Sequence, residues 1–161
     1  MGLGHDPEGK TLGILGMGGI GSAVARRAAP FDLKIQYHNR RPVDAEQNPT
    51  NAKFVSFEVL LSTSDIISVH LPLSDATRHL IGRAEFAMMK EGVVIINTAR
   101  GRIIDEEALV EALDNGKIFA AGLDVYEHEP DIHEGLIKSD KAVLLPHVGT
   151  ATFETMVSGL L

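Results

Sequence analysis

The sequence predicts an α/β protein built on a doubly wound parallel sheet, and three observations carry that expectation. Short β-branched apolar runs alternate along the chain with longer segments of helical period, the pattern of a parallel sheet covered on both faces. A glycine-rich string, Gly16-Met17-Gly18-Gly19-Ile20-Gly21, follows the first apolar run and opens the first helical segment. The length of 161 residues suits one domain with a substantial core and argues against two.

Taken in order, residues 1–10 form a lead-in and residues 11–15 the first strand, a run of apolar and β-branched residues around Gly13. Residues 20–29 read as a helix that Pro30 stops. Residues 33–38 make the second strand, and 41–53, rich in Pro and Asn, an irregular surface connection. A short helix over 56–61 precedes a strand over 65–71, and a helix over 83–89 precedes a strand over 93–98. Asp105 starts the clearest helix, with acids in its first turn and Asn115-Gly116 as its stop. Strands over 118–125 and 142–146 complete a domain of 11–150, and 151–161 read as the start of a further apolar helix. No internal repeat or low-complexity tract interrupts this order.

Composition narrows the function. A formal net charge of −7, with no basic run beyond Arg26-Arg27 and Arg40-Arg41, argues against nucleic acid as a partner. The absence of cysteine excludes disulfide and thiolate chemistry and fits a reducing compartment. Neither a signal-peptide pattern nor an apolar run of membrane-spanning length is present, so the expectation is a soluble, cytoplasmic chain without a membrane partner.

The glycine string is a G-x-G-x-x-G in the context that gives it meaning, strand before and helix after, which makes the sheet one of Rossmann type. Gly16 permits the tight turn, Gly18 and Gly19 let backbone amides approach a pyrophosphate at the helix start with Ile20, and Gly21 lets the helix pack closely on the strand. An NAD-specific site carries an acid about 20 residues after the loop, for the ribose hydroxyls. Here the chain reads Tyr37-His38-Asn39-Arg40-Arg41, with no acid until Asp44. The guanidiniums of Arg40 and Arg41 suit the 2′-phosphate of NADP, by charge and bidentate bonding. These residues favour NADP; an NAD site that does without its acid, followed by a solvated turn, remains the alternative.

Three charged residues stand in distinctive strings downstream: Arg100 in Asn97-Thr98-Ala99-Arg100-Gly101, Glu129 in Tyr126-Glu127-His128-Glu129-Pro130, and His147 in Leu145-Pro146-His147-Val148-Gly149. Together they supply what reduction of a 2-oxo acid demands: a fixed cation for the carboxylate, a proton donor for the carbonyl and an acid to orient that donor. Arg100 and His147 each follow a predicted strand, at the end where open α/β sheets place ligands. An arbitrary arginine would read as a surface partner of acids such as Asp105 or Glu106, but the strand end beside Gly101 favours the functional reading of Arg100; Glu129 taken alone reads as a solvated acid like Glu127. His70 ends a strand and reads as structural or as lining the site; the other five histidines carry no comparable context. No His, Asp or Glu cluster has ligand spacing, so no metal site is indicated.

These strings, with His70-Leu71-Pro72-Leu73-Ser74-Asp75-Ala76-Thr77-Arg78 and Gly122-Leu123-Asp124-Val125, resemble the nucleotide-binding domain of the D-isomer-specific 2-hydroxyacid dehydrogenases, most nearly the glyoxylate/hydroxypyruvate reductase branch. The resemblance runs from Gly4 to about Thr155. It implies that Arg100 binds substrate, that Glu129 orients the acid/base His147, and that Asp124 holds the nicotinamide carboxamide. It further implies cofactor contacts from Leu71, Pro72, Thr77, Thr98, Ala99, His147 and Gly149. The acid that the family usually carries after its second strand is replaced around Asn39-Arg40, as in its NADP-preferring members. The activity implied is reversible hydride transfer between NADPH, or NADH, and a small 2-oxo acid such as glyoxylate or hydroxypyruvate. Separately from the resemblance, an exposed cleft and a cut terminal helix would leave apolar surface that paired copies can cover, so a homodimer is expected. The family resemblance also implies a second domain that closes over this one, so the chain reads as an excised nucleotide-binding half with little activity of its own. Two other readings stay open on sequence: a nucleotide-sensing, corepressor-like protein-binding module, and the domain of a formate- or phosphite-type dehydrogenase.

Overall fold

The computed structural model describes residues 5–48 and 50–158. Seven strands, Thr11–Leu15 (β1), Lys34–His38 (β2), Lys53–Phe54 (β3), Ile66–Val69 (β4), Val93–Asn97 (β5), Ile118–Leu123 (β6) and Ala142–Leu144 (β7), form one sheet. Its order is β3-β2-β1-β4-β5-β6-β7, and every neighbouring pair is parallel. The order reverses between β1 and β4, so connections leave the sheet in opposite directions there and open a crevice at the strands' carboxyl ends.

Parallel strands need crossover segments, and Gly19–Ala28 (α1), Phe57–Thr63 (α2), Arg83–Met88 (α3), Glu106–Asp114 (α4) and Glu134–Lys138 (α5) supply them. The side-chain period of two splits each strand between two cores. Leu12 and Ile14 of β1 meet Ala25 of α1 and Tyr37 of β2 on one face. Leu15, Ile67, Val69, Val93 and Ile95 pack on the other with Leu60 and Leu61 of α2, Phe86 of α3 and Leu109 and Leu113 of α4. Each fully buried Leu or Ile contributes roughly 1.5–3 kcal/mol relative to an exposed one, and both faces are needed to hold the sheet.

The helices begin where the sequence offers caps. Ser56 Oγ accepts the Val59 amide at 3.2 Å, and Asp105 Oδ1 accepts that of Ala108 at 3.0 Å. Glu106 and Glu107 follow in the first turn of α4, and Gly116, at φ +82°, ends it.

Several expected boundaries move. The strands expected over 65–71, 93–98, 118–125 and 142–146 stop at Val69, Asn97, Leu123 and Leu144. The reason is pairing: β1 turns away at Gly16, leaving only the His70 amide on Leu15 O at 2.8 Å, and Pro146 has no amide to offer. Pro30 does not end the first helix abruptly; it lies in a 3-10 turn over Ala29–Phe31, and the chain reverses at Asp32, φ +57°. The connection over 41–53 ends in the two-residue edge strand β3, paired with Gln36 and Tyr37. Helix α5 was not anticipated. From 151 onward a helix runs over Phe153–Ser158 (α6), and the expected continuation over 159–161 lies outside the described residues. Among the described residues no helix is long and apolar enough to cross a membrane.

Candidate active site

The glycine loop between β1 and α1 is shaped by close backbone approaches. Gly16 has φ +104°, and a Cβ there would lie 2.9 Å from the His70 carbonyl carbon. At Gly21 a Cβ would stand 2.1 Å from Gly16 O, so loop and helix can touch only without it. Gly18 and Gly19, in contrast, face open space, with nothing within 4 Å of where a Cβ would be. No acid occupies the first turn of α1, which leaves its amides and the positive end of its dipole available to an anion. Asn39, one residue beyond β2, binds the loop directly: its Oδ1 accepts the Met17 amide at 2.7 Å. Arg40 and Arg41 follow, exposed.

A cleft of about 450 Å³ opens over this loop, lined by Gly18, Gly19 and Ile20 after β1, by His70 to Leu73 after β4, and by Thr98, Ala99 and Arg100 after β5. His70 is half-buried, its Nε2 2.8 Å from Ser68 Oγ, and burial pushes its imidazole below the usual histidine range. The ring is therefore uncharged near neutral pH. Thr77 lies outside the lining; its Oγ1 donates to Pro72 O at 2.7 Å and accepts the Ser74 amide at 2.8 Å, closing the turn that carries Pro72 to the cleft.

Arg100 reaches the cleft because Asn97 folds the chain after β5. The buried Asn97 amide spans the turn, with Nδ2 donating to Arg100 O at 2.9 Å and Oδ1 accepting the Ala99 amide at 3.0 Å. Neither Asp105 nor Glu106 pairs with Arg100 among the described contacts: Asp105 caps α4, and Glu106 Oε1 accepts the Glu127 amide at 2.7 Å. The guanidinium instead donates to Ala99 O at 2.6 Å.

Glu129 and His147, eighteen positions apart in sequence, meet after β6 and β7: His147 Nδ1 lies 2.8 Å from Glu129 Oε2. The other oxygen, Oε1, accepts the Tyr126 amide at 2.9 Å, so the carboxylate is fixed before the imidazole engages it. The hydrogen bond with His147 does most to hold the Glu129 carboxyl below the usual range; burial opposes it, and the Tyr126 amide and the positive charge of Arg100 add to the lowering. His147 itself has φ +54°. Asp124 secures that conformation by accepting the Val148 amide at 2.8 Å and the Gly149 amide at 2.7 Å. Tyr126 ties the ends of β6 and β7 together, its hydroxyl 2.8 Å from Leu145 O.

The structure thus gathers Gly18, Gly19, Ile20, Leu71, Pro72, Thr98, Ala99 and Arg100 on one cleft and pairs Glu129 with His147. Gly16 and Gly21 lie behind the loop, and Asp124 and Gly149 are joined to each other. Glu127, expected as a solvated acid, is not one: its side chain is only 14% exposed and pairs with His79 Nε2 at 2.6 Å. Sequence reasoning passed over Asn97 and Tyr126, which stand inside the quoted strings as polar residues at strand ends, and took Glu106 only as a first-turn acid and a surface partner for Arg100. Among the described residues no three His, Cys, Asp or Glu side chains gather as a metal site.

A family model for the D-isomer specific 2-hydroxyacid dehydrogenase NAD binding domain matches residues 2–149. The chain belongs to this family. It is 58% identical over 153 residues to 4-methyl-2-oxopentanoate reductase A of Aspergillus oryzae, covering 95% of this chain and 46% of that protein. To glyoxylate reductase 1 of Saccharomyces cerevisiae it is 48% identical over 154 residues, covering 95% and 44%. The crystal structure of a glyoxylate reductase from Paecilomyes thermophila superposes with a TM-score of 0.95 at 57% identity, covering 98% of this chain and 48% of that one. The chain therefore spans about half the length of the relatives it matches. As in a nucleotide-binding domain of this family, the loop and cleft fit a dinucleotide: open backbone at Gly18 and Gly19 faces the cleft, and a Cβ is barred only on the loop's inner side.

Proposed function

We propose that this chain is the nucleotide-binding half of a two-domain reductase that uses NADPH in preference to NADH and acts on a small 2-oxo acid such as glyoxylate or hydroxypyruvate. The observation that carries this reading is the His147–Glu129 pair at 2.8 Å beside a cleft edged by Arg100. The names of the relatives, a glyoxylate reductase and a 4-methyl-2-oxopentanoate reductase, support a 2-oxo acid as substrate.

Bound nicotinamide cofactor would supply the hydride to C2 of the oxo acid. The protein's own groups do the rest. Arg100 binds the substrate carboxylate through a charge-assisted pair and draws electron density from the neighbouring oxo group. His147 keeps its transferable proton on Nε2, because Nδ1 is engaged by Glu129, and gives it to the oxygen of the carbonyl as the 2-hydroxy acid forms. Gly18, Gly19, Ile20, Leu71, Pro72, Thr98 and Ala99 would hold the cofactor along the cleft, with Asn39, Arg40 and Arg41 at its adenosine end. Asp124 and Gly149 hold the loop that carries His147, and Thr77 the turn that carries Pro72. The second domain excludes water and positions the substrate, so the isolated chain binds cofactor but turns over little. A homodimer in the cytoplasm completes the reading; exposed Ile137 and Val143 provide apolar surface for association.

Fluorescence titration with NADPH and NADH in parallel, followed by turnover of glyoxylate by the two-domain enzyme, tests this. NADPH binds more tightly, and replacing both Arg40 and Arg41 with Ala removes a discrimination of about tenfold or more, since charged hydrogen bonds contribute roughly 1.5–3 kcal/mol. Equal affinities in the unmodified chain would overturn the NADP preference. An absence of turnover with any 2-oxo acid would overturn the activity.

A further inference from the structure

Arg100 and Glu129 stand on separate connections, and one peptide group joins the two. The Tyr126–Glu127 peptide is gripped on both sides. Its carbonyl lies against Gly101, where a Cβ would come within 1.9 Å of the Tyr126 carbonyl carbon and 2.1 Å of its oxygen. Its amide, that of Glu127, donates to Glu106 Oε1 at 2.7 Å. The Tyr126 amide on the other side donates to Glu129 Oε1. Arg102 Nε reaches Glu127 O at 3.0 Å, and His79 joins from outside, its ring on Glu127 and its amide on Arg102 O at 2.8 Å. Through these contacts residues 100–106 are tied to residues 126–129.

We propose that Glu106 is a positioning residue for the reaction: by holding the Tyr126–Glu127 peptide against Gly101, it sets the place of the Glu129–His147 pair relative to Arg100. This rests on the roles given to those three residues above. Glu106 is 5% exposed and occupies the first turn of α4, so the position of the peptide is referred to a helix packed in the main core. Burial raises its carboxyl above the usual range, and the acceptor role asks only for a carbonyl-type oxygen, not a charge. Loss of the acceptor leaves the Glu127 amide without its partner and frees the peptide to shift. A displacement of about 1 Å in a catalytic constellation can cost 10²-fold in rate, so a shift of this kind is read in turnover.

The test uses the two-domain enzyme with glyoxylate, measuring kcat, KM, NADPH affinity and thermal unfolding for Glu106→Ala, Glu106→Gln and Arg102→Ala, with His147→Gln alongside. Glu106→Ala lowers kcat/KM about tenfold or more, mostly through kcat, while NADPH affinity stays within about twofold because the glycine loop is built on other strands. Glu106→Gln, which keeps the acceptor oxygen, restores most of the loss. Arg102→Ala, a surface change that leaves the fold intact, gives a smaller loss of the same kind and serves if Glu106→Ala does not fold. A folded Glu106→Ala enzyme with undiminished kcat/KM overturns the proposal, as does a Gln variant as damaged as the Ala one or an Arg102→Ala enzyme with unchanged kcat. If activity and NADPH affinity fall together, Glu106 is only structural and the proposal fails. Should His147→Gln keep normal turnover, the site assignment fails and takes this proposal with it; a crippled His147→Gln beside a normal Glu106→Ala sinks this proposal alone.

Discussion

His147 sits at φ +54°, a backbone region that non-glycine residues seldom occupy, and it is held there by Asp124 from one side and Glu129 from the other. That arrangement has a pH signature. Glu129 is held below the ordinary glutamate value of about 4.3, first by the His147 hydrogen bond. A depressed folded value contributes stability that is present above the unfolded value and is lost as pH falls through the folded one. Below the ordinary glutamate value, where that carboxylate takes up its proton, the difference in melting temperature between the unmodified chain and Glu129→Gln therefore shrinks as acid is added. A difference that grows in that acid range contradicts the pair. Arg100, Glu129 and His147 were legible because each closes a distinctive string. Glu106 and Asn97 were not: a first-turn acid and a strand-end amide look ordinary until the contact 21 positions away, or the turn they span, is visible.

At the scale of the element, β1, the glycine loop and α1 were readable because apolar alternation, three glycines and a helical period coincide there. The two-residue β3 and five-residue α5 were not, since neither is long enough to show a period. Strand ends were overrun for a common reason: apolar sequence continues past the point where the neighbouring strand has turned away, as at His70 beyond Leu15. The loop makes a paired prediction. Gly21→Ala puts a methyl 2.1 Å from Gly16 O and costs about 1–3 kcal/mol in denaturant unfolding, the usual range for an overpacked site. Gly18→Ala meets nothing within 4 Å, stays within about 0.5 kcal/mol of the unmodified chain, and instead weakens NADPH binding by occupying the cleft. Equal stability of the two variants would contradict the inner and outer faces assigned to the loop.

Across the whole molecule, the sheet order β3-β2-β1-β4-β5-β6-β7 brings the carboxyl ends of β1, β4 and β5 around one cleft and those of β6 and β7 beside it. Charges that are remote in sequence therefore meet at one edge of one domain. Sequence alone supplied the order of the longer strands and helices, without β3 and α5, but the meeting of Glu129 with His147 depends on β7 pairing with β6 at Leu123–Leu144, a long-range register that no local pattern encodes. The role proposed for this edge is proton transfer to a 2-oxo acid whose carboxylate Arg100 holds. Steady-state kinetics of His147→Gln and Arg100→Ala in the two-domain enzyme provide the decisive test. His147→Gln lowers kcat by roughly 10²–10⁴-fold with little change in KM, because proton donation acts in the transition state, whereas Arg100→Ala damages both constants. A His147→Gln enzyme with normal turnover would contradict that role.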